Sequence, residues 1–232
     1  MMRMFLLAAS LLAATAQAAG PTHVNAVYDL YRNGQKLGQV TDTLTRSGKR
    51  YTLVSEARAI GPLSVLWPGS IRLESTGVVT KQGLRPSQFQ HARSDAPNKL
   101  ATARLDWKQH NIAYQYKGES WKVDGLQDGA QDQLSQIYQF MFASSLPSDY
   151  SLQVVSGRDL NDYRYARSGG AAIQTPFGKL ATQQYERITQ QPDQKAITVW
   201  IAPGRNNLPV QIRIRDEGVT LEQRLVQVTI KG

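Results

Sequence analysis

Apolar and polar residues alternate with a period of two along most of the chain, which is the pattern of β-strands that bury one face. The first such segment starts at Val24, and the pair Asn33-Gly34 that follows it favours a tight hairpin turn. Similar turn pairs separate the later segments, as at Glu217-Gly218. The pattern predicts a mainly β fold with about a dozen antiparallel strands, each with one apolar and one polar face.

The last predicted strand changes phase part-way along its length. Leu221 and Leu225 share one parity, whereas Val226 and Val228 take the other. A β-bulge inserts one extra residue and turns the side chains that follow it to the opposite face. We therefore expect a β-bulge near residues 223–225.

One segment, at about 128–144, has the spacing of an amphipathic helix instead. Asp128 is a suitable N-cap and Pro147 follows the end. The polar positions expected to face water are Gln131, Asp132, Gln133, Ser135, Gln136 and Gln139. A helix of ~16 residues is about 24 Å long and cannot cover a dozen strands of flat sheet. We therefore expect a large curled sheet or open β-barrel around one helix. The apolar positions of this helix are Leu134, Ile137, Tyr138, Met141 and Phe142.

Residues 59–70 form a predicted loop with an unusual apolar content between a Gly-Pro and a Pro-Gly pair. Its apolar residues are Leu63, Val65, Leu66 and Trp67. Each such side chain contributes about 1.5–3 kcal/mol when it is buried, so we expect the loop to fold over an opening of the barrel. It would either plug the core or line the mouth of a ligand site. The parity of an extended segment favours Val65 and Trp67 as the plug and Leu66 as the side chain that faces the opening.

The first 18 residues have the features of a cleaved secretory signal peptide. Arg3 precedes an apolar run from residue 5 to residue 14, and alanines at positions 16 and 18 suit a signal peptidase. A membrane anchor would need roughly 20 apolar residues. We therefore expect residues 1–18 to be removed, leaving residues 19–232 as a single antiparallel β domain with a helical lid in the periplasm. The mature chain contains no further segment that is long and apolar enough to span a membrane as a helix.

Charge and cysteine content narrow the choice of partners. The formal net charge is +9, but the basic residues are scattered among acidic ones and form no tract. For an exported protein, anionic lipid headgroups are therefore a better expected partner than nucleic acid, and a solvated basic surface without a partner is the alternative. The chain has no cysteine, which excludes disulfides, thiol catalysis and thiolate metal sites.

The sequence offers little catalytic chemistry. Its three histidines, His23, His91 and His110, lie in separate segments without metal-ligand spacing, and we expect each of them at the surface. The motifs of serine hydrolases, zinc proteases and phosphate-binding loops are absent. Neighbouring Asp and Arg residues at 158–164 are typical of exposed ion pairs. We therefore expect a non-enzymatic protein without a metal or a cofactor.

Several short motifs occur in a characteristic order along the chain. They are Asn-Gly-Gln-Lys-Leu-Gly (33–38), Gly-Leu-Arg-Pro (83–86), Asp-Gln-Leu-Ser (132–135), Thr-Pro-Phe-Gly-Lys-Leu (175–180), Trp-Ile-Ala-Pro (200–203) and Leu-Pro-Val (208–210). In this order they resemble the uncharacterised family known as domain of unknown function 3108, over essentially the whole mature chain. The resemblance implies an exported bacterial protein whose shape is similar to lipoprotein-carrier folds, where an open barrel and a helical lid hold acyl chains. It brings no catalytic residues.

Two functions follow as hypotheses. The first is a periplasmic, non-enzymatic binding or carrier protein for an apolar, acyl-chain-bearing ligand in the cell envelope. The second is a structural or interaction module of the envelope, with a protein partner, a filled core and no ligand. A continuous cavity inside the barrel would favour the first hypothesis, and close packing would favour the second. The residues expected to line a ligand site are Leu63, Val65, Leu66, Trp67, Leu134, Ile137, Tyr138, Met141 and Phe142.

Overall fold

The computed structural model describes residues 20–66, 68–143, 145–190 and 195–232, so the predicted signal peptide and Trp67 lie outside the described residues. Fifteen strands form one curled sheet that is not closed, and two more form a separate hairpin. The strands are β1 (His23–Arg32), β2 (Gln35–Ser47), β3 (Arg50–Ala59), β4 (Ser70–Thr80), β5 (Gly83–Arg93), β6 (Ala101–Asp106), β7 (Asn111–Tyr116), β8 (Glu119–Asp124), β9 (Gln131–Asp132), β10 (Asp149–Val155), β11 (Leu160–Gly169), β12 (Ala172–Thr175), β13 (Gly178–Ala181), β14 (Gln183–Arg187), β15 (Ala196–Ala202), β16 (Leu208–Asp216) and β17 (Val219–Lys231).

The helical elements are short. They are α1 (Leu63–Leu66), α2 (Ser135–Tyr138) and three 3-10 turns at Pro97–Lys99, Gln139–Phe142 and Pro203–Arg205. Within the described parts of the chain, none of the helices has the length and apolar content needed to cross a membrane.

The sheet follows the order of the chain in two runs that meet at its centre. Strands β1 to β8 form an antiparallel meander, and β1 pairs on its other side with β17. From β17 the sheet continues through β16, β15, β14, β11 and β10 to β9, and among the strands of the described residues only the β9–β10 pair is parallel. The predicted curled antiparallel fold is confirmed. The 17 strands of the described chain outnumber the expected dozen, and three of them, β9, β12 and β13, are only two to four residues long, too short to show a clear alternation.

The β9 edge of the sheet lies against strands of the opposite half without pairing with them. Residues 125–130 lead from edge strand β8 to β9 at the opposite edge. The Gln131 side chain of β9 then donates a hydrogen bond to the Leu84 carbonyl of β5 at 2.7 Å. The turn after β10 also packs against β6, since a Cβ atom on Gly157 would lie only 2.7 Å from the Cβ of Ala101. The interior is therefore enclosed by side-chain contacts as well as by strand pairing.

The predicted bulge lies in β17, one residue beyond the expected range. Val27 pairs with Gln227 and Tyr28 pairs with Leu225, so Val226 is the extra residue. The bulge explains the change of phase along this strand, because an unpaired residue turns the side chains after it to the other face.

The predicted helix over 128–144 is corrected to eight residues, α2 and the 3-10 turn at Gln139–Phe142. Asp132, rather than Asp128, holds its first turn, because the Asp132 Oδ1 atom accepts hydrogen bonds from the backbone N–H groups of Leu134 at 2.9 Å and Ser135 at 2.7 Å. The segment contacts strands from both halves of the sheet. Four of the six polar residues expected to face water are buried, namely Gln131, Asp132, Ser135 and Gln136, whereas Gln133 and Gln139 are half-buried.

Candidate ligand-binding cavity

A cavity of about 550 Å³ lies between the two halves of the sheet, beside α2. Ligand sites for small molecules commonly have volumes of ~300–1,000 Å³. The apolar lining comes from both walls and from α2, and consists of Leu73, Ala101, Leu134, Ile137, Val154, Ile197, Ile212 and Ile214.

One wall of the cavity is a single row of side chains that crosses neighbouring strands. Asp42 of β2 lies opposite Ser55 of β3, which lies opposite Leu73 of β4. Leu73 lies opposite His91 of β5, which in turn lies opposite Ala101 of β6. Residues that face each other across strands point to the same side of a sheet, and all five line the cavity. Three strand spacings of ~4.8 Å place Asp42 about 14 Å from His91 along this row.

The next row on the same face is closely packed. Leu44, Leu53, Ser75, Phe89 and Ala103 face one another across β2 to β6, and all of them are fully buried. These residues lie two positions along each strand from the cavity row, so they face the same side of the sheet. The interior therefore consists of a filled layer beside a layer that lines the cavity.

Asp42 forms the buried polar end of the cavity. The Tyr138 hydroxyl donates a hydrogen bond to the Asp42 Oδ2 atom at 2.8 Å. The Tyr28 hydroxyl lies 3.3 Å from the Tyr138 hydroxyl and donates to the Pro209 carbonyl at 2.8 Å. Burial raises the pKa of Asp42 to about 6, although the hydroxyls of Ser55 and Tyr138 oppose the rise. The Asp42 Oδ1 atom is buried and has no hydrogen-bond partner among the described residues.

A second buried carboxyl, Asp132, does not line the cavity and has a structural role. Its Oδ1 atom holds the first turn of α2, and its Oδ2 atom accepts a short hydrogen bond from Ser75. Burial raises the pKa of Asp132 to about 6, while its hydrogen bonds oppose the rise. The Tyr51 hydroxyl lies 2.9 Å from the Ser75 hydroxyl and extends this network into β3.

The mouth of the cavity is basic and includes one histidine. The basic side chains are Arg93, Lys99, Arg158 and Lys195. His91, expected at the surface, is half-buried and lines the cavity. Its burial and the nearby guanidinium groups of Arg93 and Arg158 lower the pKa of His91. The imidazole is therefore a neutral hydrogen-bonding group at pH 7.

The predicted helical lining residues divide into two groups. Leu134, Ile137 and Tyr138 line the cavity, whereas Met141 and Phe142 do not. Met141 is buried in the core, and Phe142 packs against it. After Tyr138 the α-helix changes to a 3-10 turn. A 3-10 turn has 3.0 residues per turn instead of 3.6, so the side chains that follow Tyr138 are rotated away from the face that helical spacing predicts.

The described side chains of the apolar loop do not reach the cavity. Leu63 is half-buried, while Val65 is 82% exposed, and neither lines the cavity. The expectation that Val65 plugs the core is therefore wrong, because the segment forms the one-turn helix α1 instead of an extended strand. The side chain of Leu66 and the whole of Trp67 lie outside the described part of the chain.

The exposure of Val65 gives a direct test of this placement. The variant Val65→Ser is expected to change the free energy of unfolding by less than about 0.5 kcal/mol, because an exposed side chain loses little burial. Urea denaturation of the variant and the wild-type protein measures the difference. A loss of several kcal/mol would show that Val65 is buried in solution.

Sequence reasoning missed Asp42, although the sequence contains a signal for it. Val40 and Leu44 occupy inward positions of β2, and Asp42 lies between them with the same parity. A carboxylate on the apolar face of a strand is costly to bury, so it indicates a special site. The sequence contains no comparable signal that Leu73 and His91 lie in the same row as Asp42. Their alignment depends on the register of four strand pairs, which the sequence does not show.

A family sequence model matches residues 27–222, a range that includes α2 and the four basic residues at the cavity mouth. The chain belongs to the family described as protein of unknown function DUF3108. The resemblance inferred from the short motifs is therefore confirmed. A comparison with curated proteins finds no match.

Three solved structures superpose on this chain to different extents. The β-barrel-like protein of domain of unknown function DUF1849 from Brucella abortus superposes with a TM-score of 0.57 at 13% identity, covering 93% of this chain and 100% of that chain. The Mycobacterium tuberculosis lipoprotein LppX gives 0.30 at 8% identity, covering 90% and 87%. A DUF1329 family protein from Desulfovibrio piger gives 0.26 at 9% identity, covering 92% and 86%. The first of these similarities shows a shared β-barrel-like fold.

Proposed function

We propose that this DUF3108 protein is a periplasmic, non-enzymatic binding or carrier protein for an apolar, acyl-chain-bearing ligand of the cell envelope. The observation that carries the proposal is the cavity between the two halves of the sheet. Its walls are apolar on both sides, with Leu73 and Ala101 on one side and Ile197, Ile212 and Ile214 on the other. Each methylene group that an acyl chain buries there contributes about 0.8 kcal/mol to binding.

The layered interior supports a binding function over a purely structural module. A structural module needs only a filled core, and the row that includes Phe89 provides one. The neighbouring row from Asp42 to Ala101 instead lines a cavity. A fold that packs one layer closely and leaves the next layer lining a cavity has the interior that a carrier requires.

The periplasmic location and the absence of catalysis are parts of the same proposal. The basic residue, apolar run and small residues of positions 1–18 support export with cleavage after Ala18. The Asp42 carboxyl at the buried end already binds the Tyr138 hydroxyl, which supports a role in shaping the cavity. The intact mass of protein recovered from the periplasm tests the cleavage site and the location together.

Two tryptophan variants test whether the cavity binds an acyl chain. Leu73→Trp and Ile214→Trp enlarge half-buried side chains on opposite walls and are expected to fill the cavity. Each variant should weaken the binding of a fluorescent acyl probe at least about tenfold, since loss of ~1.4 kcal/mol of contact suffices. The control is Val78→Trp, which adds the same side chain at an exposed position outside the lining.

Lipid extraction and native mass spectrometry of protein from its own periplasm complete this test. Co-purifying acyl chains and weakened probe binding by both cavity variants would support the proposal. A protein that repeatedly carries no lipid and binds no acyl probe would overturn it and would favour the structural module. Wild-type probe binding by both variants would show that the chain does not enter this cavity.

A further inference from the structure

Basic side chains from four separate segments converge on the mouth of the cavity. Arg93 ends β5, and Lys99 lies in the 3-10 turn that follows. Arg158 lies in the turn between β10 and β11, and Lys195 immediately precedes β15. All four line the cavity, although up to 102 positions separate them in the sequence (195 − 93). The fold therefore creates a local positive charge that the scattered basic residues of the sequence do not reveal.

The four cations differ in their ion pairs. Arg93 binds Asp95 at 2.8 Å, and Lys195 binds a carboxylate of β16 at 3.2 Å. Neither Arg158 nor Lys99 has a carboxylate within salt-bridge distance in the part of the chain that the structure describes. These two cations are available to an anionic group at the mouth.

Arg158 is held in place by contacts that leave its N–H groups available. Its guanidinium carbon lies 5.1 Å from the centre of the Tyr116 ring, and Tyr116 also lines the cavity. Its backbone N–H donates a hydrogen bond to the Ser156 hydroxyl at 3.2 Å. A guanidinium packed over an aromatic face keeps donors at its edge, where they can bind a carboxylate or a phosphate.

His91 joins the two arginines at the mouth. All three side chains line the cavity, and the guanidinium groups of Arg93 and Arg158 lower the pKa of His91, so its imidazole stays neutral and can donate one N–H hydrogen bond beside the two cations. Asp159 lies at the same mouth, and its Oδ2 atom accepts a hydrogen bond from the Ser156 hydroxyl at 3.4 Å. This carboxylate is thus engaged within its own turn, next to the cations.

We propose that Arg158, Lys99 and His91 bind an anionic headgroup, a carboxylate or a phosphate, of the ligand whose acyl chain enters the cavity. This inference rests on the proposed function and adds the chemical class of the headgroup. The polarity of the cavity fixes the orientation of the ligand. Asp42 at the other end of the row would repel an anion, so the headgroup lies at the mouth and the chain points towards Asp42.

Three fluorescent probes with the same alkyl chain test the headgroup: a fatty acid, an alkyl phosphate and a fatty alcohol. The wild-type protein should bind the two anionic probes at least about tenfold more tightly than the alcohol, as expected for a charge-assisted hydrogen bond. Arg158→Gln should weaken the binding of the anionic probes about tenfold, and Lys99→Gln should weaken it about threefold. Neither substitution should change the affinity for the fatty alcohol. The control Arg164→Gln removes an exposed arginine of β11 that does not line the cavity.

The outcomes separate this inference from the proposed function. Equal binding of all three probes would overturn the anionic site and leave the carrier function standing. No binding of any probe would overturn both. A preference between carboxylate and phosphate would identify the headgroup. If Arg158→Gln does not fold, salt titration of the wild-type protein decides, because only the affinity for anionic probes should fall as NaCl screens the cations.

Discussion

Replacement of Asp132 by alanine is expected to lower the free energy of unfolding by about 4 kcal/mol at pH 5. The side chain accepts hydrogen bonds from the backbone N–H groups of Leu134 and Ser135 and from the Ser75 hydroxyl, all in the buried interior. Each buried donor left without a partner costs ~1–3 kcal/mol. Urea denaturation followed by far-UV circular dichroism measures the loss.

The same variant should lose less stability at pH 8. Burial raises the pKa of Asp132 to about 6, so above that pH the wild-type protein itself bears the cost of an ionised buried carboxyl. Alanine removes that cost together with the hydrogen bonds. The matched control is Asp132→Asn, which keeps an acceptor for the two backbone N–H groups and should lose no more than about 1.5 kcal/mol. An alanine variant as stable as the wild-type protein at pH 5 would show that Asp132 does not hold α2.

The strands were predictable because their signal is local. Alternation along one strand needs no knowledge of its partners, and the bulge at Val226 follows from a change of parity within β17. The length of α2 was not predictable in the same way. Gln131 and Ser135 have the spacing of a solvent-exposed helix face. In the fold both are buried, because Gln131 donates a hydrogen bond to the Leu84 carbonyl and the Ser135 hydroxyl accepts one from the Asp132 backbone N–H. Polar residues that satisfy one another inside a fold cannot be distinguished from solvent-exposed ones by periodicity alone.

The cavity was only partly predictable for a related reason. Leu134 and Ile137 were identified because helical spacing places them on one apolar face. The basic mouth depends on which turns the curled sheet brings together. Arg158 follows Gly157, which packs against Ala101 of β6, and His91 of β5 pairs with the same Ala101. The apolar loop was misjudged at Val65, since its composition predicts burial but does not say whether the backbone is extended or helical.

The free energy of unfolding of the wild-type protein is expected to fall between pH 4 and pH 7, because Asp42 ionises in this range. Burial raises the pKa of Asp42 from 3.8 to about 6. The stability that its proton provides is present below pH 3.8 and is lost as the pH rises through 6. A shift of this size corresponds to about 3 kcal/mol. In Asp42→Asn this contribution disappears, so the variant should match the wild-type protein near pH 4 and exceed its stability by about 3 kcal/mol at pH 8.

The hydroxyl groups around Asp42 explain why the neutral form fits better. Each hydroxyl has one proton: Tyr28 donates its proton to the Pro209 carbonyl, and Tyr138 donates to the Asp42 carboxylate. A protonated Asp42 can instead donate to Tyr138, which frees the Tyr138 proton for Tyr28 at 3.3 Å. An asparagine amide can make the same donation at every pH. The cooperative chain of hydrogen bonds is then complete without a buried charge.

Denaturant melts at several pH values between 4 and 8 test this prediction through the difference between Asp42→Asn and the wild-type protein. The difference is needed because other groups also change the stability with pH. Burial raises the pKa of Asp132 to about 6, so Asp132 acts in the same sense as Asp42. Glu222 acts in the opposite sense, because hydrogen bonds from Arg224 and Arg213 lower its pKa despite its burial. Asp124→Asn, at the exposed end of edge strand β8, measures the effect of removing one negative charge alone. If Asp42→Asn and the wild-type protein lose stability in parallel across this range, Asp42 is not the buried acid of this cavity.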